Sequence, residues 1–264
     1  MDVSQAVAQR ISTRAFKPDA LSEADIREWL NQAQRAPSGG NTQPWRTIVV
    51  TGDAKDAVIR MAAPVLAANP KGQPTDRPIY PKDLWEPHEA RRRKVGEMMY
   101  ETLGIPREDR AARIAWFANN FRAFGAPVLM LVHTPRYMGP PQWSDIGMWL
   151  QTIGLLCREE GLDTCFQEAW AVYSPQIREM VDIPEDHIFF CGVAIGYRDE
   201  EAAVPVDVLT ELFAALHHTA PWEARLRLLR DPAVHPGHED VGALAVDPRV
   251  GSADVLPVRD RRSL

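Results

Sequence analysis

Cysteine is scarce in this chain of 264 residues: Cys157, Cys165 and Cys191 are odd in number and form no CxxC pair. That usage fits a reducing compartment better than a disulfide framework and leaves buried structural thiols as the expectation. Lysine is scarce as well, 5 against 25 arginines with none after Lys94, a bias that points to a GC-rich genome rather than to a function. Excess positive charge is missing, since the formal net charge is −6, so no global field exists to hold a nucleic-acid backbone. Long apolar runs are missing too. The stretch Ala126 to Val132 is far too short to span a bilayer, and the opening Met-Asp-Val-Ser lacks a basic region followed by an apolar one, so the expectation is a cytoplasmic protein without membrane partners.

Common nucleotide and catalytic signatures are also absent. No GxGxxG follows a strand and no GxxxxGK[ST] loop occurs, which disfavours Rossmann and P-loop folds. HExxH and a GxSxG elbow before a helix are missing, against zinc peptidases and α/β-hydrolases. His217, His218, His235 and His238 gather in a segment with few large apolar residues, where a metal site would lack supporting partners; no metal is expected.

What is present is ordinary for a globular protein, 45% hydrophobic and 25% charged residues, on a chain long enough to bury a sizeable core. A helix capped at Ser22 is expected, with Ile26, Trp29, Leu30 and Ala33 on one face, ending before Pro37. Arg46 to Thr51 (RTIVVT) reads as a strand stopped by Gly52-Asp53, followed by a helix from about residue 54 to 68. Five prolines between Asn69 and Pro87 make a long excursion, in which Ile79 to Trp85 is a candidate substrate cover. Helices are expected over about 89–103 and 107–124, and Arg91 to Lys94 reads as a solvated face. A strand over 127–133, a helix over about 142–160, a strand over 163–167, a helix over 175–181 and a buried strand from His187 to Gly196 follow. Strands alternating with helices argue for a sheet covered by helices. Residues 217–264 contain no Phe, Tyr or Lys and are expected to form a poorly ordered tail.

Two segments carry candidate chemistry. Arg10, Ser12 and Arg14 alternate, so in an extended segment all three point to one side and offer two guanidinium forks and a hydroxyl to one phosphate. Ala36 to Trp45 (APSGGNTQPW) turns through two glycines after a helix and presents Ser38, Asn41 and Gln43 on a loop whose backbone can approach a planar ligand.

The sequence RxSxRxF, followed after a helix by APSGGNxQPW, resembles the opening of the nitroreductase family of flavoproteins. The resemblance continues through Gly139 to Met148 (GPPQWSDIGM), Gly161 to Trp170 (GLDTCFQEAW) and Phe190 to Tyr197 (FCGVAIGY), is similar to the nitrobenzoate-type subgroup, and covers residues 5–200. It implies an α+β fold with a mixed, mainly antiparallel sheet wrapped by helices, and an interlocked homodimer. It also implies FMN as cofactor, NAD(P)H as co-substrate and ping-pong reduction of a small electron-poor aromatic such as a nitroarene. Arg10, Ser12 and Arg14 would hold the ribityl phosphate, and Pro37, Ser38 and Asn41 would line the isoalloxazine, partly from the partner chain. Gln142, Gln167, Glu168 and Ala169 fall in the other cofactor segments, with the Glu168 backbone N–H at flavin N5 and no side chain acting as acid, base or nucleophile. Phe166 and Ala169 stand where many relatives have proline and glycine. The basic residue that relatives carry about ten positions after the Gly-Tyr pair is missing, leaving Arg198, a tail arginine such as Arg225, or a weaker site. Trp143, Trp149, Phe117, Phe121 and Phe124 are expected to enlarge the subunit interface. The same resemblance leaves open a reductase of quinones, enones or halogenated phenols, and a catalytically silent flavin-binding protein.

Overall fold

The first helix, α1 (Val3–Gln9), was not among the expected elements. It starts on Asp2, whose carboxylate accepts from the Gln5 amide while the Gln5 side chain accepts from the Asp2 amide, so two first-turn donors are satisfied reciprocally. This computed structural model describes residues 1–69, 73, 75–202, 245–246 and 253–254. The chain divides into two compact units, Met1–Glu211 and Leu212–Leu264.

In the first unit α2 (Glu23–Ala33) begins where expected, with the Ser22 hydroxyl accepting from the Asp25 amide at 3.1 Å. After β1 (Arg46–Thr51) come α3 (Gly52–Ala68), α4 (His88–Thr102) and α5 (Arg110–Phe117). Then follow β2 (Val128–Pro135), α6 (Pro140–Glu159), β3 (Asp163–Gln167), α7 (Ser174–Val181) and β4 (His187–Gly196).

The helix expected over 107–124 is two pieces. Asp109 caps α5, and from Ala118 to Gly125 the chain tightens into 3-10 turns with left-handed backbone at Ala123 and Phe124. Phe121, Ala123 and Phe124 are all buried, and the Phe124 carbonyl accepts from the Phe16 amide. An α-helix presents one stripe to a core, so the irregular turns are what let these closely spaced residues all go inward.

The sheet order is β1-β2-β4-β3, antiparallel throughout. A parallel bridge from Ser12 to Thr164 adds the 10–14 segment beside β3 and makes the sheet mixed. Strand alternation splits the core in two. Leu129, Leu131 and Ala194 face one cluster with Trp170, Tyr173 and α3 residues Val58 and Ala62. Val128, Met130, Val132, Val193 and Ile195 face the other, with Trp29 of α2 and Ile146, Trp149 and Ile153 of α6. Trp170 lies so close over the first face that a Cβ on Gly192 would come within 2.4 Å of its ring; only glycine fits beneath it.

The register of β4 slips at one place. Val132 is opposite Cys191 but His133 is opposite Phe189, so Phe190 is the extra residue of a bulge. Phe190 and Cys191 consequently both join the α6-side cluster.

The five aromatics expected at the subunit interface divide differently. Trp149 is fully buried and stacks on Trp45, with ring centroids 5.7 Å apart. Phe121 packs edge-on against Tyr173 at 4.6 Å, and Phe124 is also buried. These three serve the chain's own core and cannot enlarge an interface. Trp143 is half-buried and Phe117 exposed.

In the second unit β5 (Ala245–Val246) pairs antiparallel with β6 (Ala253–Asp254). The rest of the expected 217–264 tail, Arg225 included, lies outside the described residues. Among the described residues no helix is long and apolar enough to cross a membrane, and no group of three metal-ligating side chains is arranged to hold an ion.

Candidate functional site

The 10–14 segment is held to β3 by the Thr13 amide donating to the Thr164 carbonyl at 3.1 Å. Ile11 and Thr13 are buried, while Arg10, Ser12 and Arg14 turn the other way and are half-buried, the alternation an extended strand imposes. Arg14 Nη1 donates to the Ser12 carbonyl at 3.1 Å. Among the described residues neither Arg10 nor Arg14 pairs with a carboxylate. Arg10 lies flat on α6, its Cδ 3.1 Å from where a Gly154 Cβ would stand. Burial pushes its guanidinium below the ordinary value, an effect that the nearby Cys165 only partly offsets. A partly desolvated cation without a counter-charge favours an anion at this place. Burial raises the Cys165 thiol to about 11 despite Arg14 and Arg10, so it stays a protonated, inert thiol.

The second element is the 37–43 loop. Gly40, Asn41 and Gln43 all have positive φ, at 58°, 55° and 45°. The loop is locked by its own side chains: the Ser38 hydroxyl accepts from the Gln43 amide at 3.0 Å, and Asn41 Oδ1 accepts from Gln43 Nε2 at 2.9 Å. The Gly39 amide donates to buried Asp145 of α6 at 3.2 Å. Pro37 and Asn41 are exposed, and among the described residues the Ser38 hydroxyl donates to no acceptor. Strained backbone held by such bonds is typical of preorganised sites.

The third element follows β3. Gln167 is buried, and its side chain is used inside the chain: Nε2 donates to the Asn120 carbonyl at 2.7 Å and Oε1 accepts from Trp170 Nε1 at 3.3 Å. Any ligand contact of Gln167 is therefore through its backbone. Glu168 and Ala169 are half-buried at the start of a 3-10 turn. Glu168 Oε2 accepts from Arg77 at 2.6 Å. Gln142 sits in the first turn of α6, its Oε1 accepting from the Gly139 amide at 3.2 Å and its Nε2 without an acceptor among the described residues.

These elements do not close into one surface within a single chain. Arg10 rests on Gly154 and Gly39 on Asp145, both in α6. Nine residues of helix place those contacts about 13 Å apart along the axis and about half a turn around it. The phosphate-type donors and the 37–43 loop therefore flank α6 on opposite sides. Arg198, the nearest candidate for the missing basic residue, holds Asp163 with two nitrogens at 2.8 and 3.0 Å. Asp163 is buried and also meets Arg158, so recruiting Arg198 to a ligand would break a buried pair. Arg77, Asp145 and Gly154 were not anticipated from sequence, and no local pattern marks them.

The model of the Nitroreductase family matches residues 7–197. The chain belongs to the nitroreductase family. Among relatives of this nitroreductase-family chain, a nitrobenzene nitroreductase of Ectopseudomonas oleovorans is 32% identical over 197 residues, 75% of this chain and 87% of that protein. A 4-nitrobenzoate reductase of Pseudomonas putida is 34% identical over 203 residues, 77% and 88% of the two chains. The crystal structure of the FMN and NADPH-dependent nitroreductase NfnB from sphigopyxis sp. strain HMH superposes with a TM-score of 0.75 at 46% identity, over 77% of this chain and 92% of that one. The expected α+β nitroreductase fold is thus the observed one.

Proposed function

We propose that this chain is an FMN-dependent oxidoreductase that draws on NAD(P)H to reduce nitroaromatic or similarly electron-poor aromatic compounds, as a cytoplasmic homodimer. The observation that carries the reading is the alternation of Arg10, Ser12 and Arg14: two guanidinium groups without carboxylate partners among the described residues and a hydroxyl, all on one side. That donor set suits a phosphate monoester, which guanidinium forks bind with two parallel hydrogen bonds. Related proteins named as nitrobenzene and 4-nitrobenzoate reductases, and an FMN and NADPH-dependent structural relative, support the same reading.

In this scheme Arg10, Ser12 and Arg14 hold the ribityl phosphate. Pro37, Ser38 and Asn41, on the opposite flank of α6, line the flavin ring held by the other copy, which is the support for a dimer. Gln142 and Ala169 border the ring, Gln167 contributes backbone only, and the Glu168 N–H donates toward N5. A fixed donor there favours the reduced ring electrostatically. The chemistry that FMN supplies when bound is hydride transfer from NAD(P)H to the aromatic in two alternating half-reactions. The FMN-binding domain is residues 1–216, with 217–264 outside it and the loop Ile79 to Trp85 as the substrate cover.

The test is the visible spectrum of the purified protein, followed by anaerobic NADPH addition and then 4-nitrobenzoate. Flavin absorbance that bleaches with NADPH and returns with the nitroarene is expected. A colourless protein that takes up no FMN sinks the proposal, and flavin that never bleaches marks a silent binder.

A further inference from the structure

Arg77 lies in the proline-rich excursion, yet its side chain is only 13% exposed. Its Nη2 donates to two acceptors at once: Glu168 Oε2 at 2.6 Å and the Phe190 carbonyl at 2.8 Å. The guanidinium stacks over the Phe190 ring at 4.3 Å and approaches the Trp143 ring at 5.8 Å. Its Nε finds no partner among the described residues, so the bridge and the stack hold it. The Phe190 carbonyl needs this donor because Phe190 is the bulge residue of β4, with no partner on β2, and because β3 pairing stops two positions short of it, at Gln167 opposite Gly192. A buried carbonyl without a donor costs about 1–3 kcal/mol. Arg77 therefore caps the bulge and, with the same nitrogen, grips the first residue after β3.

The neighbouring residue anchors the same loop. Asp76 meets Arg136, after β2, at 2.9 Å and also meets Arg178 of α7. Two consecutive loop residues of opposite charge thus fasten the excursion to the sheet end, and Ile79 packs onto the core just beyond.

We infer that Arg77 is a positioning residue: by bridging the Phe190 bulge to the Glu168 carboxylate, it fixes the orientation of the Glu168 peptide and ties that peptide to the covering loop. The inference rests on the proposed role of the Glu168 N–H toward the flavin. A cation that held only the side chain would be satisfied by lysine. Lysine has donors enough for both acceptors but no planar guanidinium to stack on the Phe190 ring while it bridges.

The experiment compares FMN-loaded wild type with Arg77→Ala, Arg77→Lys and Glu168→Ala by hydrogen exchange over residues 166–173 and by the flavin midpoint potential. Arg77→Ala is expected to speed exchange there by about tenfold or more, as loss of a charge-assisted bond implies. It should also lower the potential while FMN affinity stays within about twofold, because the phosphate contacts are elsewhere. Arg77→Lys should recover only part of both effects, and Glu168→Ala combined with Arg77→Ala should add little to either alone. Glu168→Ala keeps the bulge contact and the stack, so it decides the matter even if Arg77→Ala does not fold. Wild-type exchange and potential in folded Arg77→Ala, or in Glu168→Ala, overturn the role of Arg77. A wild type that binds no FMN instead overturns the flavin reading, and the positioning role with it.

Discussion

The 10–14 segment and the 37–43 loop flank the same helix and are built on opposite principles. The first is extended chain, joined to β3 by a single bridge, whose two arginines have no carboxylate partners among the described residues. The second is irregular, with three left-handed residues, and spends its polar groups on itself and on Asp145. The difference shows how binding capacity is stored. The extended segment is held by one backbone bond to β3 and one Arg14 bond to the Ser12 carbonyl, so most of its side-chain donors stay available, whereas the irregular loop uses its side chains to hold its shape and offers chiefly a fixed surface.

The largest way to test that contrast is to remove the unspent cations. Arg10→Ala with Arg14→Ala is expected to weaken FMN binding by about 3–6 kcal/mol, two charge-assisted bonds at about 1.5–3 each, in a titration followed by flavin fluorescence. Unfolding by urea should change little in the apo chain. FMN affinity within about tenfold of wild type would remove the segment from the site.

On the other flank the expected losses fall on stability. Asp145→Ala leaves the Gly39 amide without its acceptor and should cost about 1.5–3 kcal/mol in urea unfolding; a cost under about 0.5 kcal/mol would show that the loop holds itself. Smaller still, Gly40→Ala meets open space but a φ of +58°, so the price is backbone alone, about 1–2 kcal/mol. Gly39→Ala, at an ordinary φ with its nearest neighbour 3.9 Å away, should cost less, and equal costs would refute the backbone explanation.

A pH series probes the end of the sheet beside the 37–43 loop, where Arg46 is opposite His133, away from the 10–14 segment next to Thr164. His133 and His187 face each other through Nδ1 atoms 2.8 Å apart. Burial first, then the charges of His187, Arg46 and Arg178, push His133 down from 6.5 to about 4, and burial also lowers His187, against Asp186. The unfolded chain therefore takes up these protons first. The stability is fully present above 6.5 and is lost as pH falls toward about 4. The melting temperature should drop over that window in wild type and in the Arg10 and Arg14 variants alike, and His133→Gln should flatten the drop. An unchanged slope in His133→Gln would assign the acid sensitivity to other groups.

Much of the architecture was legible locally. β1, β3 and β4 have the expected bounds because β-branched and apolar runs end at turn residues, and Ser22 was readable as a cap from its neighbours. The break at Ala118 was not, because what overrides helical periodicity there is the Phe16 to Phe124 contact from far along the chain. Of the candidate site, the same-side arrangement of Arg10, Ser12 and Arg14 followed from strand periodicity alone. The commitment of Gln167 to Asn120, 47 residues away, did not.

Alternation, capping and turn chemistry depend on residues a few positions apart, so the positions of the four main strands along the chain, the direction of the three phosphate-type donors and the scarcity of pairable cysteines were set by amino-acid order. The bulge at Phe190, the placement of two binding elements on opposite flanks of α6, and the reach of Arg77 to Glu168 across 91 positions were decided by packing. Each depends on where a helix or strand settles against the sheet, and that is a sum over contacts distant in sequence, which no local pattern encodes.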